Sequence, residues 1–79
     1  MKLVIRDSKN ELKTILINES DRVIQLKEEI KNKMTITGEI ELLFNGLVLE
    51  DNDMLCDLDI KEGSTIDYQG HFDAGLNKI

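Results

Sequence analysis

The side chains in this 79-residue sequence that could do covalent or metal chemistry are one cysteine, one histidine and a run of aspartates. Cys56 would be a nucleophile only with a neighbouring base or cation to favour its thiolate. Leu55 and Asp57 beside it supply neither, so Cys56 reads as a structural or surface residue. His71 has no companion histidine or cysteine at ligand spacing and reads as neither catalytic nor metal-binding. Asp51, Asp53, Asp57 and Asp59 invite a calcium reading. An EF-hand loop, however, needs glycine at its sixth position for the sharp turn and glutamate at its twelfth. Counted from Asp51, those positions hold Cys56 and Glu62, and no second helix follows. A solvated acidic loop is the better account. No nucleophile–base pair and no phosphate loop is visible, so neither an enzyme nor a cofactor or metal site is expected.

Composition narrows the remaining classes. The net charge of −6 argues against nucleic acid and anionic membranes, both of which need concentrated Lys and Arg. The opening residues Met1-Lys2-Leu3-Val4-Ile5-Arg6 are too soon interrupted by charge for a signal peptide, whose apolar region runs about 7–15 residues. A membrane span would need about 20 apolar residues, and no such run occurs. A single cysteine gives no internal disulfide, which fits a cytoplasmic or nuclear setting. A chain this short buries only about 60% of its unfolded surface, so its core must be economical. With 41% apolar residues there is material for one such core.

The elements follow from periodicity. Residues 1–6 alternate, with Met1, Leu3 and Ile5 on one face and Lys2, Val4 and Arg6 on the other. After the turn residues Asp7-Ser8-Lys9-Asn10, residues 12–17 form a second strand with Ile15 and Ile17 facing the core and Thr14 and Leu16 facing away. Ser20 or Asp21 is expected to cap a helix in which Val23, Leu26, Ile30 and Met34 make one apolar stripe. The segment Thr35-Ile36-Thr37-Gly38 ends it. Residues 40–44 return to strand, and Asn45-Gly46 is the strongest two-residue hairpin signal, because both residue types tolerate φ > 0. Residues 47–49 return, residues 50–59 are polar with Leu55 and Leu58 as anchors, and residues 64–68 make a last strand. One helix across a mixed sheet is the α+β layer solution, in the order ββαββ and then β.

Several short motifs in this order resemble the ubiquitin-like family. They are Leu42-Leu43-Phe44-Asn45-Gly46 into Leu49-Glu50-Asp51, then Leu55-Cys56-Asp57-Leu58-Asp59-Ile60 and Ser64-Thr65-Ile66, preceded by Ser20-Asp21 before a helix carrying Leu26-Lys27 and Ile30. The resemblance covers residues 1–69, with one deletion after the helix, and implies a β-grasp fold. Residues 70–79 then read as a flexible tail, and Met1 suits either a whole small protein or the first domain of a longer one. In this family the sheet face opposite the helix is a docking site for small helical and zinc-binding modules. Leu43 matches the centre of the family's apolar patch, with Gly46 beside it, and Ser8 and Gln69 stand at its other apolar positions. Asp67 replaces a histidine and Glu41 an arginine. Leu47 replaces a lysine on which chains are built.

The resemblance thus implies a protein-binding site made of Val4, Glu41, Leu43, Gly46, Leu47, Asp67 and Gln69, with Val48 beside Leu47. Its acidic rim points to partners with basic rims, either ubiquitin-binding modules or proteasomal receptors, engaged by a monomer. An alternative is that Phe72 and Leu76 fold back and cover the patch. Conjugated family members end in Gly-Gly, and no Gly-Gly occurs here. The expected function is therefore a non-conjugated interaction module, with delivery to protein degradation as its implied use. A covalent modifier is the competing possibility.

Overall fold

The alternation at the start of the sequence becomes β1 (Lys2–Arg6), whose Leu3 and Ile5 are fully buried while Lys2 and Arg6 are exposed. The computed structural model describes residues 1–7 and 9–70. β1 pairs antiparallel with β2 (Leu12–Leu16), setting Leu3 opposite Ile15. The turn between them is organised by Asp7. Its carboxylate accepts the backbone N–H groups of Lys9 at 2.8 Å and Glu11 at 2.9 Å. A short carboxylate closing its own turn in this way is the reason aspartate favours such positions.

The helix α1 (Val23–Met34) buries Val23, Leu26 and Ile30, the stripe that the spacing predicts. Its N-terminus differs from expectation. Neither Ser20 nor Asp21 caps it. Arg22 is the N-cap, and its own N–H donates to the Gln25 side chain at 2.8 Å. The next two free donors, Val23 and Ile24 N–H, are taken by the carbonyls of Asp53 and Asp51 at 2.9 and 3.1 Å. Asp21 instead accepts a bond from Asn18 N–H, closing the preceding turn. The helix end is thus satisfied by a loop far away in sequence, which local capping rules cannot foresee. At the other end Thr35 adopts a left-handed conformation at φ 57°, and the Ile36 N–H returns to the Lys31 carbonyl.

β3 (Ile40–Phe44) and β4 (Leu47–Val48) form the hairpin announced by Asn45-Gly46, and both turn residues take positive φ, 54° and 81°. That combination is the two-residue turn whose twist matches the strands. Between β4 and the last strand, a 3-10 helix (Leu55–Leu58) drops Leu55 fully into the core and Leu58 against it. β5 (Thr65–Gly70) runs two residues past the predicted end. Gln69 and Gly70 remain paired with Glu41 and Ile40, so Gly70 belongs to the sheet.

The sheet order is β2-β1-β5-β3-β4, with β1 and β5 parallel and every other pair antiparallel. This is the mixed five-stranded sheet with one helix of a ubiquitin-like β-grasp fold. Leu3, Ile5, Ile15, Ile40, Leu42 and Ile66 point to the helix side and share one core with Val23, Leu26 and Ile30. Alternation along the strands sends their neighbours to a second face, where the side chains are exposed or half-buried.

Two left-handed positions test the backbone argument. Gly46→Ala is expected to destabilise the fold by about 1–2 kcal/mol through strain alone, since a Cβ there meets nothing within 4 Å. Thr35→Gly is expected to stabilise it by about 1 kcal/mol, because a β-branched residue is strained at positive φ. Urea unfolding of both variants measures the two effects.

Candidate protein-binding face

The face away from the helix is built by strand alternation and ordered by register. One row crosses all five strands. Leu12 on β2 stands opposite Arg6 on β1, Arg6 beside Asp67 on β5, Asp67 opposite Leu43 on β3, and Leu43 opposite Val48 on β4. A second row runs Thr14, Val4, Thr65. On β5 and β3 a third pairs Gln69 with Glu41. Directly opposed residues share a face, so these side chains form one surface.

Its polar centre is an ion pair. Arg6 Nε meets Asp67 Oδ1 at 2.5 Å and Arg6 Nη2 meets the second oxygen at 3.1 Å, a two-pronged contact that fixes both side chains. The hydrogen bond from Arg6 holds the Asp67 carboxyl below the usual carboxylate range; slight burial opposes this and the Arg6 charge reinforces it. Gln69 Nε2 donates to Glu41 Oε1 at 3.0 Å. Beyond this centre lie Leu43, half-buried, and Val48, 57% exposed, with half-buried Val4 in the adjoining row. On the helix side of β5, Tyr68 is half-buried against the core, and burial, followed by the charges of Asp7 and Glu11, pushes its phenol up.

Residues 1–69 match the family described as Ubiquitin-2 like Rad60 SUMO-like. The chain belongs to this family. Comparison with curated proteins finds no match. The ubiquitin-like resemblance of the short motifs therefore holds over the whole described domain, with a SUMO-like family as the specific assignment.

Within this ubiquitin-like domain, the sheet brings Val4, Glu41, Leu43, Asp67 and Gln69 together on one face, with Val48 at its edge and Gly46 in the adjoining turn. Leu47 is separated from them. It pairs with Phe44, which packs against the core, so Leu47 projects on the helix side of the hairpin and is 71% exposed there. Ser8, His71, Phe72 and Leu76 lie outside the described residues. The acidic rim is also altered. Asp67 is neutralised by Arg6, and among the described residues of this face Glu41 is then the carboxylate without a cation. Arg6 was identifiable only as a residue of the outward face of β1, because its partner comes from the other end of the chain.

The aspartates of the acidic loop have structural work at the helix end. Lys27 Nζ meets Asp51 Oδ1 at 2.6 Å, and Arg22 Nη1 donates to the Asn52 carbonyl at 2.6 Å. Among the described residues no three acidic, histidine or cysteine side chains converge to hold a metal. Cys56 is exposed beside a surface hollow of about 420 Å³ lined by Glu19, Asp59, Lys61 and Glu62 with Met1 and Ile60.

The ion pair predicts a pH effect of known sign. Asp67 has a lowered folded-state pKa. Its stabilising contribution is therefore present above the unfolded carboxylate value of about 3.9 and lost as pH falls through the folded one. A carboxyl-carbon NMR titration is expected to find Asp67 titrating below the ordinary carboxylate range, and Arg6→Gln should return it to that range.

Proposed function

We propose that this ubiquitin-like domain is a non-conjugated docking module that binds protein partners through the Leu43–Val48 end of the open sheet face. The observation that carries this reading is the transverse row: two apolar side chains beside a fixed ion pair, on a surface that no described element covers. Apolar anchors with a pre-set polar border are what a modest interface requires, since most binding energy resides in a few such anchors. The border is already ordered, so little side-chain entropy is lost there on binding.

The partner this surface fits is a small module with an apolar ridge for Leu43 and Val48 and a cationic group opposite Glu41. The basic-rim preference thus rests on Glu41, with Asp67 serving to hold Arg6. A partner carrying acidic groups opposite Glu41 is disfavoured by like-charge repulsion. Catalysis has no part in this reading: ubiquitin-like domains are generally non-enzymatic modules.

Covalent attachment is the competing reading. Conjugated relatives of this fold carry Gly-Gly after the last strand, whereas β5 here is followed by His71-Phe72-Asp73. An unhindered glycine pair is what lets such a terminus thread into activating enzymes. That supports non-covalent use. Mass spectrometry of cellular material carrying the domain on substrate lysines would overturn it.

The direct test is an NMR titration of the labelled domain with ubiquitin-binding modules, SUMO-binding modules and proteasomal receptors. Shifts are expected to cluster at Val4, Leu43, Val48, Asp67 and Gln69. Val48→Asp should weaken the best binder by about tenfold or more, while Leu47→Asp, on the far side of the hairpin, should leave it within about twofold. Equal losses from both variants, or shifts confined to the helix, would reject this face as the site.

A further inference from the structure

The outer edge of β2 has features that the open-face docking site leaves unexplained. β2 ends the sheet, and its side chains Leu12 and Leu16 are 62% and 73% exposed. The ladder direction is set by two terminal bonds, Ile17 N–H to the Met1 carbonyl and Asp7 N–H to the Glu11 carbonyl. Antiparallel pairs alternate between bonded and non-bonded. The backbone groups of Glu11, Lys13, Ile15 and Ile17 therefore turn inward to β1, and those of Leu12, Thr14 and Leu16 turn outward. Among the described residues none receives a backbone partner on that side. An open edge with exposed leucines is a template for another strand.

We infer that this edge pairs with β2 of a second copy of the chain, antiparallel and centred on Thr14. The sequence of β2 is self-complementary in that register. Leu12 falls opposite Leu16 of the second copy, Thr14 opposite its own counterpart, and Leu16 opposite Leu12. All six outward backbone groups of each strand then find partners. No like charges stand directly opposite, since Lys13 faces Ile15 and Glu11 faces Ile17. A two-fold axis through the Thr14 pair is the isologous contact that a closed dimer needs.

The axis is perpendicular to the sheet, so both open faces point the same way. The two Leu43 sites lie seven strand spacings apart, about 34 Å, and β2 is at the opposite edge from β4, so pairing does not cover them. The dimer is a bivalent version of the docking face, able to gain avidity from a partner with two suitably spaced motifs. The contact is small beside the 1,200 Å² or so of stable interfaces, which makes it weak and concentration-dependent. Each copy carries a net charge of −6, and the two Lys13 side chains lie on a diagonal. Added salt screens both repulsions and favours the dimer.

Sedimentation equilibrium from micromolar to millimolar chain, at low and high salt, tests this. A monomer–dimer equilibrium strengthened by salt is expected. Mixed-isotope NMR should give an intermolecular Hα–Hα contact between Lys13 and Ile15, the pair whose Hα atoms face outward. Thr14→Pro removes one outward N–H without touching the ladder to β1, as edge strands tolerate, and should weaken association by at least about tenfold. Leu16→Lys should do the same while amide dispersion stays native. A monomer at all concentrations overturns the inference. So does a dimer insensitive to both variants, or an edge that pairs only with an extended peptide of another protein.

Discussion

The parallel pairing of β1 with β5 is the constraint on which the rest of this molecule depends. It sets Ile5 beside Ile66 and is extended by bonds from Val4 N–H to the Ser64 carbonyl and from Gly63 N–H to the Lys2 carbonyl. Two segments 61 residues apart thereby become the centre of the sheet. Parallel neighbours cannot be joined by a tight turn, so everything between them has to act as a crossover. The helix, the β3–β4 hairpin and the 3-10 turn are that crossover, and the core is what they enclose. The same register brings Arg6 alongside Asp67 on the opposite face. Core and candidate site are two sides of one strand pairing.

The acidic loop after β4 plays a second long-range part. Its backbone carbonyls at Asp51 and Asp53 complete the first turn of the helix, and the Asp51 carboxylate meets Lys27 one turn further on. Negative charge near a helix N-terminus also suits the helix dipole. Charge that the sequence presents as an unexplained cluster is thus partly absorbed into structure. Glu50, Asp57 and Asp59 remain exposed around it and contribute to solubility. Neither arrangement asks for a bound cation.

Charge on the open face follows a different logic. Lys2, Arg6, Glu41 and Asp67 lie on that side of the strands, and two of the four are spent on each other. The surface is therefore patterned and close to neutral, even though the chain as a whole is strongly acidic. Recognition there depends on where individual charges are held. Net charge governs approach, and fixed local groups govern fit.

Elements whose cause is local could be read from the residues alone. Alternation gave β1 and β2 and their buried faces, the spacing of Val23, Leu26 and Ile30 gave the helix, and Asn45-Gly46 gave the hairpin. That hairpin already implied that Phe44 pairs with Leu47, so the separation of Leu47 from Leu43 was present in the sequence, because a two-residue turn fixes register. The gathering of Leu43, Asp67 and Gln69 near one another was legible through family resemblance. The helix cap, the neutralisation of Asp67 and the edge that β2 leaves open among the described residues were settled by long-range folding. Each depends on which distant segment fills a neighbouring position. A capping residue competes with any carbonyl the fold brings closer, a carboxylate's charge depends on the strand beside it, and an edge is defined by the absence of a next strand. Local chemistry states what a residue can bond to; the crossover between β1 and β5 decides which partner arrives.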